Sequence, residues 1–161
     1  MNTTDITQLQ ALMRSKDWDA VYAMLDDAGS RAVTQEDMRR EVYWRATAFE
    51  GEQRYDEALE LLQKNADLFD CQCLVHLQLA CILIKLGRDQ DALDELRKAP
   101  IEAEMEDYYG LAIDAKFLYF YLLAKIGDPS VKDRLAEIPD DYRHITSGGK
   151  FLTKTDISSF L

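Results

Sequence analysis

Residues 54–62 read RYDEALELL and residues 88–96 read RDQDALDEL. Both fit Arg-x-x-acid-Ala-Leu-x-x-Leu, and Ala58 to Ala92 is a step of 34 residues. Apolar residues at helical spacing behind an acidic first turn make this a helix opening, written twice. What precedes each copy is also alike. CLVHLQLACILIKL (73–86) is apolar at helical spacing, and Gly87 then stops it as glycine does at a helix C-terminus. EVYWRATAFE (41–50) sets Val42, Ala46 and Phe49 on one face, and Gly51 to Arg54 turn the chain. The second helices are YDEALELLQKNADLF (55–69) and DALDELRKA (91–99), the latter ended by Pro100. Each copy is a helix, a tight turn and a second helix. One such hairpin cannot bury its apolar face alone, whereas stacked hairpins share a core.

The flanks carry worn versions of the same unit. LQALMRSKDWDAVYAMLDDAG, near the N-terminus, sets Trp18 before Val21 as Tyr55 stands before Ala58, a step of 37. EDYYGLAIDAKFLYFYLLAKIG predicts a long helix ending at Gly127, and PSVKDRLAEI a short one with Pro129 in its first turn. The pattern predicts an all-α chain of about eight helices in four antiparallel hairpins, an α-solenoid over residues 1–141. Residues 142–161 (YRHITSGGKFLTKTDISSFL) break the pattern and are expected to form a tail or cap. In it Ser147-Gly148-Gly149 reads as a joint, and DISSFL as one more helical turn capped by Thr155 or Asp156.

A 34-residue helix-turn-helix unit resembles the tetratricopeptide repeat, with residues 39–106 matching best. Ala46 and Ala80 stand where that family keeps a small residue in the first helix, and Phe49 and Leu83 where it keeps a large one. Ala58 and Ala92 occupy its small position in the second helix, followed by Leu62 and Leu96. The chain departs from the family at Val42, His76 and Asn65, and both copies lack the closing proline. The resemblance implies a right-handed superhelix with a concave groove lined by the first helix of each hairpin. It places Arg40, Tyr43, Thr47, Glu50 and Gly51 in that groove from one copy, and Leu74, Leu77, Cys81, Ile84 and Lys85 from the next.

Composition narrows the function. The chain has 161 residues, 47% hydrophobic and 30% charged, with only three prolines and seven glycines, as suits long regular elements. The start has no basic stretch followed by an apolar core, so no signal peptide is expected. The longest apolar runs, LVHLQLACILI (74–84) and FLYFYLLA (117–124), are too short to span a bilayer. The odd set Cys71, Cys73 and Cys81 suits a reducing, cytoplasmic setting. A net charge of −11 disfavours nucleic acid and anionic membranes as partners. The negative charge lies in the body, while Arg143, Lys150 and Lys154 against Asp156 make the tail mildly basic.

No residue set predicts catalysis, a cofactor or a metal. Cys71, Cys73 and His76 lack the paired spacing and fourth ligand of a zinc site, and read as buried thiols beside an inter-helix histidine. Nothing supplies an oxyanion hole for a Cys73–His76 pair. EAEMED (102–107) reads as a solvated acidic helix start favoured by the helix dipole.

Two helices are apolar on every side. Helix 73–86 packs through Leu79, Ala80 and Leu83, and its opposite stripe is apolar too; in helix 111–126 Phe117, Tyr119, Phe120 and Tyr121 point all round. Their cover is superhelical curvature, the tail with Phe151, Leu152, Ile157, Phe160 and Leu161 as plugs, or a partner's amphipathic helix. The function expected is a non-enzymatic adaptor, resembling the chaperones of type III secretion, that holds a peptide or amphipathic helix. The alternative is an acidic inhibitor or immunity-type protein that neutralises a basic toxin or nuclease. Tyr108, Tyr109 and Trp44 are candidates for a homodimer interface.

Overall fold

The repeated Arg-x-x-acid opening is a helix start at both places. In the computed structural model, which describes residues 1–146 and 149–161, Arg54 and Arg88 are the residues just before helices α4 (Tyr55–Lys64) and α6 (Asp89–Lys98). Neither helix has a side-chain cap. Instead the arginine folds over the first-turn acid. Arg54 Nε donates to Glu57 Oε2 at 2.5 Å and Arg88 Nε to Asp91 Oδ2 at 2.6 Å. The acid sits where the helix dipole favours it, and the cation shields it from repelling other acids. The Ala-Leu-x-x-Leu that follows is buried alike in both copies: Ala58, Leu59 and Leu62, and Ala92, Leu93 and Leu96.

The chain is mostly helical and divides into two compact units, Met1–Asp70 and Cys71–Leu161. In the first, α1 (Thr3–Ser15) and α2 (Trp18–Ser30) pack as a pair, α2 packs on α3 (Gln35–Gly51), and α3 on α4. Polar residues set the starts. Asn2 with Asp5, and Thr34 with Asp37, form reciprocal capping boxes, and Asp17 accepts from the Ala20 N–H. Leu9, Val21, Leu25 and Ala48 make a fully buried cluster, with Trp18 and Trp44 packed against it. Trp44 is therefore half-buried against this core rather than exposed.

Helix α3 runs longer than the predicted 41–50, because the Thr34 cap starts it early. Helix α4 is shorter than the predicted 55–69. It ends at Lys64, and Ala66–Leu68 form a 3-10 turn, since Asn65 Nδ2 donates to the Leu61 carbonyl and draws the chain out of the helix. At the end of α3 the first unit is tightly packed. A Cβ on Gly51 would lie 2.8 Å from Cη2 of Trp18. Gly51→Ala is expected to destabilise by about 1 kcal/mol, the clash outweighing the gain in helix propensity. Urea unfolding followed by the fluorescence of Trp18 and Trp44 measures this.

The second unit holds α5 (Gln72–Lys85), α6, the short α7 (Ile101–Glu104), α8 (Tyr109–Lys125), α9 (Ser130–Arg134) and α10 (Lys154–Ser158). Gly87 and Gly127 follow α5 and α8 with φ of +71° and +79°, the left-handed geometry that glycine adopts freely. Helix α8 is the hub: α5, α6, α7, α9 and α10 all pack on it. This explains its apolar circumference, with Phe117 and Phe120 fully buried and Tyr119 and Tyr121 half-buried.

The structure departs from the expected pattern at several places here. The long helix begins only at Tyr109, after a turn, and Tyr108 is half-buried at its start while Tyr109 is exposed. The helix after Pro129 is five residues long and continues as a 3-10 turn, Leu135–Glu137, so the fourth hairpin is unequal. The tail, expected as a cap with one helical turn, also holds two strands. Strands β1 (Arg143–Ile145) and β2 (Phe151–Thr153) pair antiparallel with His144 opposite Leu152. Thr153, not Thr155 or Asp156, caps α10, in a box closed by Asp156. Ser147 and Gly148 of the predicted joint lie outside the described residues, and Gly149 has φ +76°. Among the described residues no helix is long and apolar enough to cross a membrane.

Candidate functional site

The tail hairpin alternates as a two-stranded sheet on a helix must. His144 and Leu152 turn inward and are buried; Arg143, Ile145 and Phe151 turn outward and are exposed. The inward pair lands on α8. His144 stacks on Phe117 with ring centroids 5.3 Å apart, and Tyr142 lies 5.2 Å from the same ring. Tyr142 donates its hydroxyl hydrogen to Asp114 Oδ1, and His144 Nδ1 lies 3.7 Å from that oxygen. Burial raises the Asp114 carboxyl, but the adjacent His144 ring and the hydrogen bond from Tyr142 outweigh it and hold it below its ordinary value. Burial, with the Asp114 carboxylate beside it, drives the Tyr142 hydroxyl well above the usual phenol range.

Helix α10 completes the dock. Ile157 is fully buried, and Phe160 meets Tyr121 edge-on at 5.5 Å. Lys154 ties the hairpin back to the chain before it, donating to the Ile138 carbonyl at 3.1 Å and to Asp140 Oδ1 at 2.7 Å. Of the five predicted plugs, Leu152 and Ile157 are buried, while Phe151, Phe160 and Leu161 are substantially exposed.

Beside the hairpin a cleft of about 350 Å³ stays open between α5 and α8. Leu77, Cys81 and Ile84 form its α5 wall, Leu118 and Tyr121 its α8 wall, and Leu152 its end. Lys85 and Lys125 stand at the rim, and Lys125 donates to Asp89 Oδ2 at 2.6 Å. An apolar trough with a charged rim suits an apolar side chain on a polar-backed segment. Four predicted groove positions, Leu77, Cys81, Ile84 and Lys85, line this cleft. Leu74 lies on α5, half-buried, outside that lining.

The other predicted positions lie on α3, in the first unit. Arg40 is exposed and donates to the Met1 carbonyl at 3.0 Å. Tyr43 meets Trp44 edge-on at 5.3 Å, and Thr47 donates to the Tyr43 carbonyl at 2.9 Å. Glu50 is half-buried and Gly51, the last residue of α3, sits against Trp18.

The cysteine pair has a partner that the sequence reading missed. Cys71 precedes α5 without giving it a side-chain cap. Glu104, 31 residues beyond Cys73, supplies one. Its Oε1 accepts from the Gln72 N–H and its Oε2 from the Cys73 N–H, both at 2.8 Å, and Cys71 Sγ donates to Oε2 at 3.2 Å. The acidic run is thus no simple solvated helix start; one of its carboxylates caps another helix. Burial raises Glu104, yet the N–H groups of Cys73 and Gln72, with the thiols, bring it below its ordinary value. Burial pushes the Cys71 thiol up to about 11 and the Cys73 thiol to about 12, so both stay protonated and weakly nucleophilic. His76 turns away from them and bonds Glu95 Oε2 on α6 at 3.0 Å.

Compared with family models, with curated proteins and with solved structures, the chain matches none.

Proposed function

We propose that this chain is a non-catalytic protein-interaction module, built of tetratricopeptide-like hairpins in a short α-solenoid. The face made by α5 and α8 receives an apolar, amphipathic segment of another protein. One observation carries the reading: four α5 positions that the tetratricopeptide resemblance marks as groove-facing line an open apolar cleft walled by α8 and by the chain's own tail. The tail is the resident occupant of this face. It is held by two buried aliphatic side chains and a few polar bonds, and it leaves part of the face uncovered. A partner helix or extended segment displaces it or extends it. The setting proposed is the cytoplasm, where the three thiols remain reduced.

The test opens the face without shortening the chain. A random peptide library is panned on Leu152→Asp, which sets a charge against α8. Selected peptides are expected to be amphipathic, to bind the variant at least roughly tenfold tighter than the native chain because no tail competes, and to lose binding when Ile84→Asp is added. Peptides that bind equally well with Ile84→Asp contradict the reading. The acidic-inhibitor alternative, supported by the −11 charge, predicts instead a folded basic partner whose association rate falls steeply with salt.

A further inference from the structure

A second cleft of about 350 Å³ lies elsewhere in the same unit, among α6, α7, α8 and α9. Its character is opposite to the first. In a chain of net charge −11, Arg97, Lys116 and Arg134 converge on it, with Glu102 as the acid lining it among the described residues.

Lys116 is only 6% exposed, and its ammonium has two carboxylate neighbours of different standing. Glu137 Oε2 lies 3.0 Å away and is anchored in turn by Arg134, whose Nε and Nη2 donate at 2.8 and 3.2 Å. Arg134 is itself fixed over the Phe120 ring, 4.7 Å from its centroid. The other neighbour, Glu102 Oε1, reaches the ammonium at 2.6 Å from a side chain that is 72% exposed. Glu102 is therefore a solvent-borne carboxylate resting on a buried cation. Such a carboxylate loses little by returning to water, and the ammonium, still paired with Glu137, then offers its second anion position to another group.

We propose that this cleft is an oxyanion site, in which a phosphate or carboxylate group of a ligand takes the place of the Glu102 carboxylate on Lys116. Arg134, whose Nε and Nη2 stay on Glu137, and Arg97, which also donates to Asp94 Oδ1 at 2.6 Å, flank the incoming group as further cations. The volume leaves room for the group and a short stem, so the ligand is a small phosphorylated or acidic molecule or side chain. The site is independent of the peptide-binding face, and its failure would leave that reading untouched.

Titration of the full chain at constant ionic strength tests it, with inorganic phosphate in one arm and succinate in the other, followed by amide NMR shifts around the cleft. Saturable shifts at Lys116, Tyr119 and Arg134 in the millimolar range are expected. The arm that saturates at lower concentration identifies the ligand class. Glu102→Gln is expected to tighten binding roughly fivefold, the effect of removing one partly exposed ion pair as internal competitor. Arg97→Gln is expected to weaken it by about tenfold. A Lys116 that only serves the fold predicts no tightening in Glu102→Gln. Linear, non-saturating shifts in both arms, or equal affinity of native chain and Glu102→Gln, overturn the proposal.

Discussion

Ile157→Ala is expected to destabilise the second unit by about 2–4 kcal/mol, the range for removing a fully buried aliphatic side chain. The size of the loss has a built-in ceiling. Ile157 sits on a five-residue helix, too short to hold itself by its own hydrogen bonds. Its order depends on packing against α8, together with Leu152 and the Tyr142–Asp114 bond. Once the loss exceeds the free energy of docking, the tail leaves as a unit and further damage to it costs nothing. Leu152→Ala added to Ile157→Ala is therefore expected to cost much less than Leu152→Ala alone. Both tryptophans lie in the first unit, so the measurement is far-ultraviolet circular dichroism in urea rather than tryptophan fluorescence. Full additivity of the two losses would mean that the tail does not move as one piece.

Glu104→Ala is expected to cost about 2–3 kcal/mol. Two backbone N–H groups at the start of α5 lose a charged acceptor, and Cys71 offers no side-chain cap in its place. Glu104→Gln, which keeps one acceptor oxygen and drops the charge, should recover about half of that loss. The pH dependence follows in sign. Glu104 has a lower pKa folded than unfolded, so its stabilisation is present above the ordinary value of 4.5 and is lost as pH falls through the folded value. Asp114 acts in the same sense from its ordinary value of 3.8. The native chain should therefore lose stability below about pH 4.5, and its advantage over Glu104→Ala should shrink in that window. A gap between the two that stays constant down to acid pH would remove Glu104 from the cap.

These two residues also mark where the sequence stops being readable. Helices α2 to α6 and their turns follow from apolar period, glycine and the Arg-x-x-acid opening, because those signals are local. The fit of Ala58 and Ala92 into equivalent buried positions was visible for the same reason. Glu104 could not be found that way. It belongs to an acidic run that looks solvated, and its partners are 31 and 32 residues upstream. The tail is a mixed case. The Thr153-x-x-Asp156 capping box that starts α10 stands in the sequence, though the reading set the cap at Thr155 or Asp156, and the two strands are three residues each, too short for alternation to declare itself. The α5 wall of the cleft was legible through the tetratricopeptide resemblance. Leu152 was foreseen as a plug from the tail, whereas His144 and Ile145 were not, since only the folded chain pairs the tail into a hairpin on α8.

Hydrogen exchange of the intact chain, read amide by amide, tests most directly whether the tail is a separable occupant of the α5–α8 face. The expected result is a group of amides in β1, β2 and α10 that open together, protected, but with a lower opening free energy than those at the centres of α5 and α8. Tail amides that exchange as freely as an unstructured peptide would contradict the docking. Tail amides that open only with the whole unit would make the tail a permanent part of the core and leave no face for a partner to claim.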